Sequence, residues 1–138
     1  MAQLVRFGVS IESSLLEKFD RHIENKGYST RSEALRDLIR QELIKKEWEE
    51  DDEVAGAITF IFDHHQRGLT SRLTSIQHGY QEIIISSQHI HLDHHNCLEI
   101  VAVKGRATEV QKLANALQSI KGVRHGTLSM SSTGKSLG

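Results

Sequence analysis

Apolar residues near the start of the chain alternate with polar or small residues, and this period of two predicts a strand over residues 4–11. One face of this strand is apolar and consists of Val5, Phe7, Val9 and Ile11; the other carries Arg6, Gly8 and Ser10. A lone strand is not stable in water. We therefore expect it to pair with the same strand of a second copy as a two-stranded antiparallel ribbon.

Helical spacing follows the predicted strand. Ser13 or Ser14 is placed to cap a first helix, with Glu17 completing a capping box, and Gly27 is placed to end it. A second capping box, Thr30–Glu33, opens another helix. Its apolar stripe is Ala34, Leu35, Leu38, Ile39 and Leu43. Residues 1–46 thus predict a ribbon-helix-helix (βαα) domain.

The next segment is acidic, and a second pattern of elements follows it. Residues 47–54 hold six acidic residues and no basic one, so 47–53 is interpreted as a solvated helix end or linker that marks a domain boundary. Over 54–131 the pattern predicts strand, helix, two strands, helix and strand, at 57–62, 69–77, 83–92, 98–104, 108–120 and 123–130. This βαββαβ order is ferredoxin-like (ACT-like), the whole chain is α+β, and 132–138 is a polar, flexible tail.

Composition narrows the setting. The chain has 138 residues, one Cys, nine His and a formal net charge of −1. No apolar run is long enough for a transmembrane helix, and we see no signal peptide. A single Cys forms no internal disulfide, so a reducing compartment, the cytoplasm, is expected.

The strongest chemical pattern lies in the predicted hairpin. His89 and His91 are two apart on a strand and therefore point to one face, and the hairpin returns Cys97 beside them. Two imidazoles and a thiolate form a half-site for a divalent metal that one further ligand would complete. Zinc, copper and nickel all remain open. Surface His and a small buried Cys are the alternative interpretation.

Two further sets of residues belong with these predictions. Glu99, two beyond Cys97, is placed to hydrogen-bond a ligating imidazole, with Gln77 a weaker candidate. The ribbon face Arg6, Gly8 and Ser10 suits the DNA major groove. Arg36 adds positive charge near a helix start that offers free N–H groups to a phosphate.

Taken together, the motifs resemble the nickel-responsive transcriptional regulator family over residues 4–130. They are Gly27-Tyr28, Arg31-Ser32-Glu33-Ala34, Gln77-His78, His89-Ile90-His91, Asn96-Cys97-Leu98-Glu99, Lys104-Gly105 and Gly122-Val123-Arg124-His125-Gly126. The resemblance implies a homotetramer that binds Ni²⁺ and then represses nickel-uptake genes from a palindromic double-stranded operator. It also implies that the chain is not an enzyme.

Residue by residue, the resemblance implies nickel ligands His89, His91 and Cys97 from one chain and His78 from its neighbour. The base-reading residues would be Arg6, Gly8 and Ser10, although the family usually has a hydroxyl residue at the position of Gly8. Glu33 and Asp37 match positions that hold a second cation in related proteins. No role carries over to His64, His65, His94 or His95.

Competing functions remain. A ribbon-helix-helix regulator that answers to another divalent metal (Cu, Zn or Co), or to none, would have the same N-terminal pattern. A Cys–His enzyme would need a substrate pocket and oxyanion donors that the sequence does not locate. A metal store or carrier would have no use for the ribbon face.

Overall fold

The computed structural model describes residues 3–138 and divides the chain after Leu43. One compact unit runs up to Leu43 and includes Leu137–Gly138; the other is Ile44–Ser136. The first two residues of the predicted 1–46 domain lie outside the described residues. No helix in the described part of the chain is long and apolar enough to cross a membrane.

The first unit contains helix α1 (Ser13–Lys26) and most of α2 (Arg31–Glu49). Gly27 ends α1 in the left-handed region at φ 81°, where glycine is favoured. The Thr30 hydroxyl accepts the Glu33 N–H at 3.1 Å, as in a capping box, and the Glu33 carboxylate accepts the Ser29 N–H at 3.2 Å.

The predicted cap of α1 is wrong. Ser13 already lies inside the helix, Glu12 occupies the N-cap position, and no side chain makes a capping hydrogen bond there. Glu12 has an extended backbone and the helix starts directly after it, so both serines lie within the helix and neither is at the capping position. A hydroxyl residue near a helix start therefore does not by itself locate the cap.

The segment predicted as a strand, 4–11, forms no strand in the single chain. A strand needs a hydrogen-bonding neighbour, and the described residues of this unit provide none. Its apolar face is open: Val5 is 77% exposed and Phe7 72%. Among the described residues of the unit, only Ile23 and Ala34 are buried. This unit lacks a core of its own.

The second unit is a four-stranded antiparallel sheet with two helices. Its elements are β1 (Glu53–Asp63), α3 (Leu69–His78), β2 (Ile84–His91), β3 (Asn96–Arg106), α4 (Ala107–Gln118) and β4 (Val123–Met130). The sheet order is β2-β3-β1-β4, with every neighbouring pair antiparallel. This is the predicted ferredoxin-like arrangement in an α+β chain.

The core of the second unit lies between the sheet and its helices. It contains Phe60 and Phe62 from β1, Leu69 and Leu73 from α3, and residues of α4 such as Leu113. Alternate residues of β1 are buried, as a period of two requires for a sheet covered on one face.

The acidic segment contains a helix end, one of its two predicted forms, but it is not solvated throughout. Helix α2 continues through Glu49, and Trp48 in its last turn is 7% exposed within the core of the second unit. The Trp48 indole N–H donates to the Ser131 carbonyl at 2.8 Å. The N-cap residue of α4, Arg106, makes no side-chain capping hydrogen bond. The Asp51 carboxylate accepts the Thr108 N–H at 2.7 Å and so caps this helix instead. Within this segment, Trp48 therefore packs into the core and Asp51 caps helix α4.

Trp48→Ala should lower the free energy of unfolding by about 3–5 kcal/mol, because it removes a buried ring and leaves a cavity. Urea unfolding followed by circular dichroism measures the change. Trp48→Phe keeps a smaller aromatic ring and loses the N–H bond to Ser131, so it should cost less, about 1–3 kcal/mol. If the Trp48→Ala protein is as stable as the original chain, the Trp48 ring is not part of the core and the end of α2 is solvated.

Candidate functional site

Strand pairing brings one predicted imidazole directly to the cysteine. His91 on β2 lies opposite Cys97 on β3, and His89 lies opposite Glu99. His91 Nδ1 is 3.5 Å from Cys97 Sγ. The rings of His89 and His91 have centroids 5.1 Å apart, so the pair shares a face as the spacing predicts.

The turn between β2 and β3 holds this pairing in place. The Asp93 carboxylate accepts the backbone N–H groups of His95 at 2.9 Å and Asn96 at 2.8 Å. The Asn96 side-chain and backbone N–H groups hold the pKa of Asp93 at about 2, so this carboxylate is ionised at neutral pH. A rigid polar turn thus fixes the register that joins His91 to Cys97.

His64, to which no role was assigned from the sequence, lies against the cysteine. Its Nδ1 is 3.1 Å from Cys97 Sγ, closer than that of His91. The ligand atoms of His64, His91 and Cys97 all lie within 4.8 Å of one another, and this group includes neither His89 nor His78. β1 pairs Phe62 with Cys97, which carries the following turn over the thiol. The pairing of Phe62 with Cys97 is therefore the feature that would have located His64 beside the cysteine.

Burial determines the state of these groups. Burial raises the pKa of the Cys97 thiol, and the nearby Asp63 carboxylate adds to the effect. Burial also lowers the pKa of His64, with repulsion from His65 and His91 as further causes. A neutral imidazole is ready to bind a metal, whereas the thiol must lose its proton as the metal enters. Imidazole nitrogen with thiolate sulfur suits borderline divalent ions such as Ni²⁺, Zn²⁺ and Cu²⁺.

The supporting residues form a chain of polar contacts. The Gln77 amide of α3 donates to a Glu99 carboxylate oxygen at 2.5 Å. The other Glu99 oxygen lies 3.7 Å from His89 Nδ1. The Glu99 side chain is only 13% exposed, so few other partners reach it. Such a carboxylate fixes the tautomer and the ring orientation of an imidazole ligand.

His78 is the predicted ligand that this chain does not bring to the others. It is the last residue of α3, directly after Gln77, and is exposed. It is not part of the group formed by His64, His91 and Cys97.

The predicted DNA-contacting residues lie in the first unit. Arg6, Gly8, Ser10 and Arg36 are all exposed. A side chain added at Gly8 would meet nothing within 4 Å, so this glycine is not required by packing.

The predicted second-cation residues, Glu33 and Asp37, are occupied within the same unit. The Glu33 carboxylate accepts the Ser29 N–H, and the Asp37 carboxylate accepts the Tyr28 hydroxyl, which raises the pKa of Tyr28.

Comparison with known proteins matches both units. Residues 55–131 match the family described as NikR C terminal nickel binding domain, and residues 5–46 match Ribbon-helix-helix protein, copG family. Relatives whose names include the words nickel-responsive regulator match 96–99% of the chain. One from Syntrophus aciditrophicus is 63% identical over 98% of this chain and 98% of its own. One from Chlorobium limicola is 57% identical over 97% and 100%, respectively.

A solved structure supports the fold of part of the chain. An uncharacterized protein from Thermotoga maritima superimposes with a TM-score of 0.50 at 13% identity, covering 56% of this chain and 95% of its own. At that identity the similarity concerns the fold alone.

Glu99→Gln should weaken metal binding by roughly tenfold to a hundredfold, because a neutral amide holds the His89 imidazole less firmly than a carboxylate does. Competition with a chelator measures the affinity. Glu109→Gln is the matched control: it removes an exposed carboxylate on α4 that forms an ion pair with Lys112 on the same helix. Equal affinities for Glu99→Gln and the control would remove Glu99 from the site.

Proposed function

The chain belongs to the nickel-responsive regulator family, and on that premise we propose that nickel bound in its C-terminal domain controls binding to operator DNA. The pairing of His91 with Cys97, inside the region that matches the nickel-binding domain, carries this proposal. One matched family is described as a nickel binding domain and the other as a ribbon-helix-helix protein, and the relatives are named as regulators. The chain is therefore a regulator and not an enzyme. Repression of nickel-uptake genes is the proposed outcome.

The proposed nickel ligands are His89, His91 and Cys97, completed by His78 of a neighbouring chain. The exposure of His78 beside Gln77 supports a role between chains. A thiolate and three imidazoles suit planar nickel(II), although copper binds such donors more tightly in the usual order of stability. A response to Cu, Zn or Co, or to no metal, is the alternative function.

His64 offers a different fourth ligand from within the same chain. Its distance of 3.1 Å from Cys97 Sγ favours this second arrangement. The two arrangements differ in one respect that can be measured: only the His78 set requires association of chains.

The exposed apolar segment of the first unit supports a dimer. Val5, Phe7 and Val9 are each 60% exposed or more, and soluble proteins rarely leave contiguous apolar surface open. We propose that two copies pair these segments as an antiparallel ribbon and bury this face. Arg6, Gly8 and Ser10 then point to the DNA major groove.

Higher assembly and location complete the proposal. Two ribbon dimers joined through their metal domains form a homotetramer that binds a palindrome. We propose that Glu33 and Asp37 hold a second cation when DNA is bound, which requires them to exchange the Ser29 N–H and the Tyr28 hydroxyl for the cation. A cytoplasmic location is part of the proposal, and the proposed thiolate ligand and DNA partner support it.

Cys97→Ala should abolish the sulfur-to-nickel charge-transfer absorption and weaken binding strongly, because it removes the only thiolate. His78→Ala should also damage the site, whereas His64→Ala should leave it intact. The absorption spectrum of the nickel-loaded variants measures both effects. Mixing His78→Ala chains with chains that lack His89, His91 and Cys97 should restore some sites. If mixing restores none and His64→Ala is the damaging change, the fourth ligand comes from within the chain.

Arg6→Ala should cost about 1–3 kcal/mol of operator binding for each lost bidentate guanine contact and relax sequence choice. Arg36→Ala is the matched control. It should weaken all sequences alike and reduce the salt dependence of binding, because it contacts phosphate only. Fluorescence anisotropy with cognate and scrambled duplexes measures both. An Arg6→Ala protein that discriminates as well as the original chain would remove Arg6 from base reading.

A further inference from the structure

Residues 122–126 form one of the motifs on which the family resemblance rests, and the arginine within them, Arg124, has no role in the function proposed above. It is an extra residue in the pairing of two strands. β1 pairs Ile61 with His125, but it pairs the next residue, Phe62, with Val123, so the register skips Arg124. A bulge of this kind bends the strand and redirects the side chain of the extra residue.

The redirected side chain reaches across the end of β1. In the sheet, β1 lies between β3 and β4. Nη1 of Arg124, on β4, donates to Asn96 Oδ1, at the start of β3, at 2.8 Å. This contact joins two strands that are not neighbours, at the edge of the sheet where Asp63 ends β1 and pairs with Asn96.

Asn96 connects this contact to the β2–β3 turn. Its side-chain oxygen accepts from Arg124, and its side-chain N–H groups donate to the two Asp93 carboxylate oxygens at 3.3 and 3.1 Å. Arg124 thereby holds the Asn96 amide in the orientation that donates to Asp93. Because Cys97 directly follows Asn96, the hydrogen bonds lead from β4 to the residue beside the thiol.

The charge of Arg124 and its hydrogen bond have opposite effects on a metal at Cys97. The guanidinium is bound to the residue next to the thiol, and a positive charge there repels a divalent cation. An arginine that acted through its charge alone would therefore weaken metal binding. A hydrogen bond that orders the turn strengthens binding, because the ligands then need less rearrangement when the metal enters.

We propose that Arg124 is a positioning residue for the nickel site. Bound to Asn96, it holds the β2–β3 turn so that Cys97 and His91 stay opposite each other. It acts through Asn96 and Asp93 and not as a ligand. This inference rests on the proposed function, since it concerns the same Cys97 site.

Arg124→Met keeps an unbranched side chain and removes both the charge and the N–H donors, so the direction of its effect is informative. We expect it to weaken nickel binding by roughly tenfold, as loss of a residue that orients metal ligands does. Loss of charge repulsion alone would tighten binding. Competition with a chelator measures the affinity. Lys112→Met is the matched control, since it removes an exposed cation on α4 and should not weaken binding.

A double-mutant cycle tests whether Arg124 acts through Asn96. In an Asn96→Ala chain, Arg124→Met should weaken nickel binding no further, because the contact between the two side chains is already lost. An Arg124→Met chain that binds nickel as tightly as the original chain, or more tightly, would overturn the proposal. An equal loss of affinity in the Asn96→Ala background would overturn it as well.

Amide hydrogen exchange of the nickel-free chain tests the turn without metal. The backbone N–H groups of His95 and Asn96, which donate to Asp93, should exchange faster in Arg124→Met than in the original chain or in Lys112→Met. Unchanged exchange would overturn the proposal even if nickel affinity fell. If the original chain shows no sulfur-to-nickel absorption band, the proposed function fails instead, and the exchange rates still decide whether Arg124 holds the turn.

Discussion

The register of the β2–β3 hairpin is the constraint on which the metal chemistry of this chain depends. It sets His91 opposite Cys97 on the face of the sheet that the helices cover. A slip of one residue would turn the imidazole to the other face. Two features fix the register at opposite ends of the hairpin: the hydrogen-bonded turn at Asp93, and the contact of Gly105 with Ile83, where an added Cβ would lie 2.6 Å from a side-chain carbon.

The regular elements of the second unit followed from the sequence because each has a clear apolar period and a clear stop. The last strand has the predicted bounds, and the hairpin, including the shared face of His89 and His91, lies where the β-branched residues placed it. Register itself was not predictable residue by residue. That is why His64 was missed: its place beside Cys97 depends on which residue of β1 lies opposite the cysteine.

Predictions from local sequence were wrong or incomplete for segments whose structure depends on packing or on a partner strand. Acidic residues around Trp48 suggested a helix end or linker that is solvated throughout, yet the Trp48 indole at the end of α2 is buried in the core. The N-terminal strand presents the opposite case: its pattern is strong, but the single chain provides no neighbour for it to bond. Both outcomes have the same cause, since elements of this size are stabilised by what they pack against more than by their own preferences.

Among the described residues, the proposed nickel ligands all lie in the second unit and the proposed DNA-contacting residues in the first, so the proposed control of DNA binding by nickel is allosteric. Such coupling is reciprocal. The most direct test is to measure nickel affinity, by chelator competition, with and without an operator duplex that the nickel-loaded protein has selected from random DNA. The duplex should tighten nickel binding by the same factor by which nickel tightens DNA binding. Equal nickel affinities in the two titrations would contradict a nickel-controlled regulator.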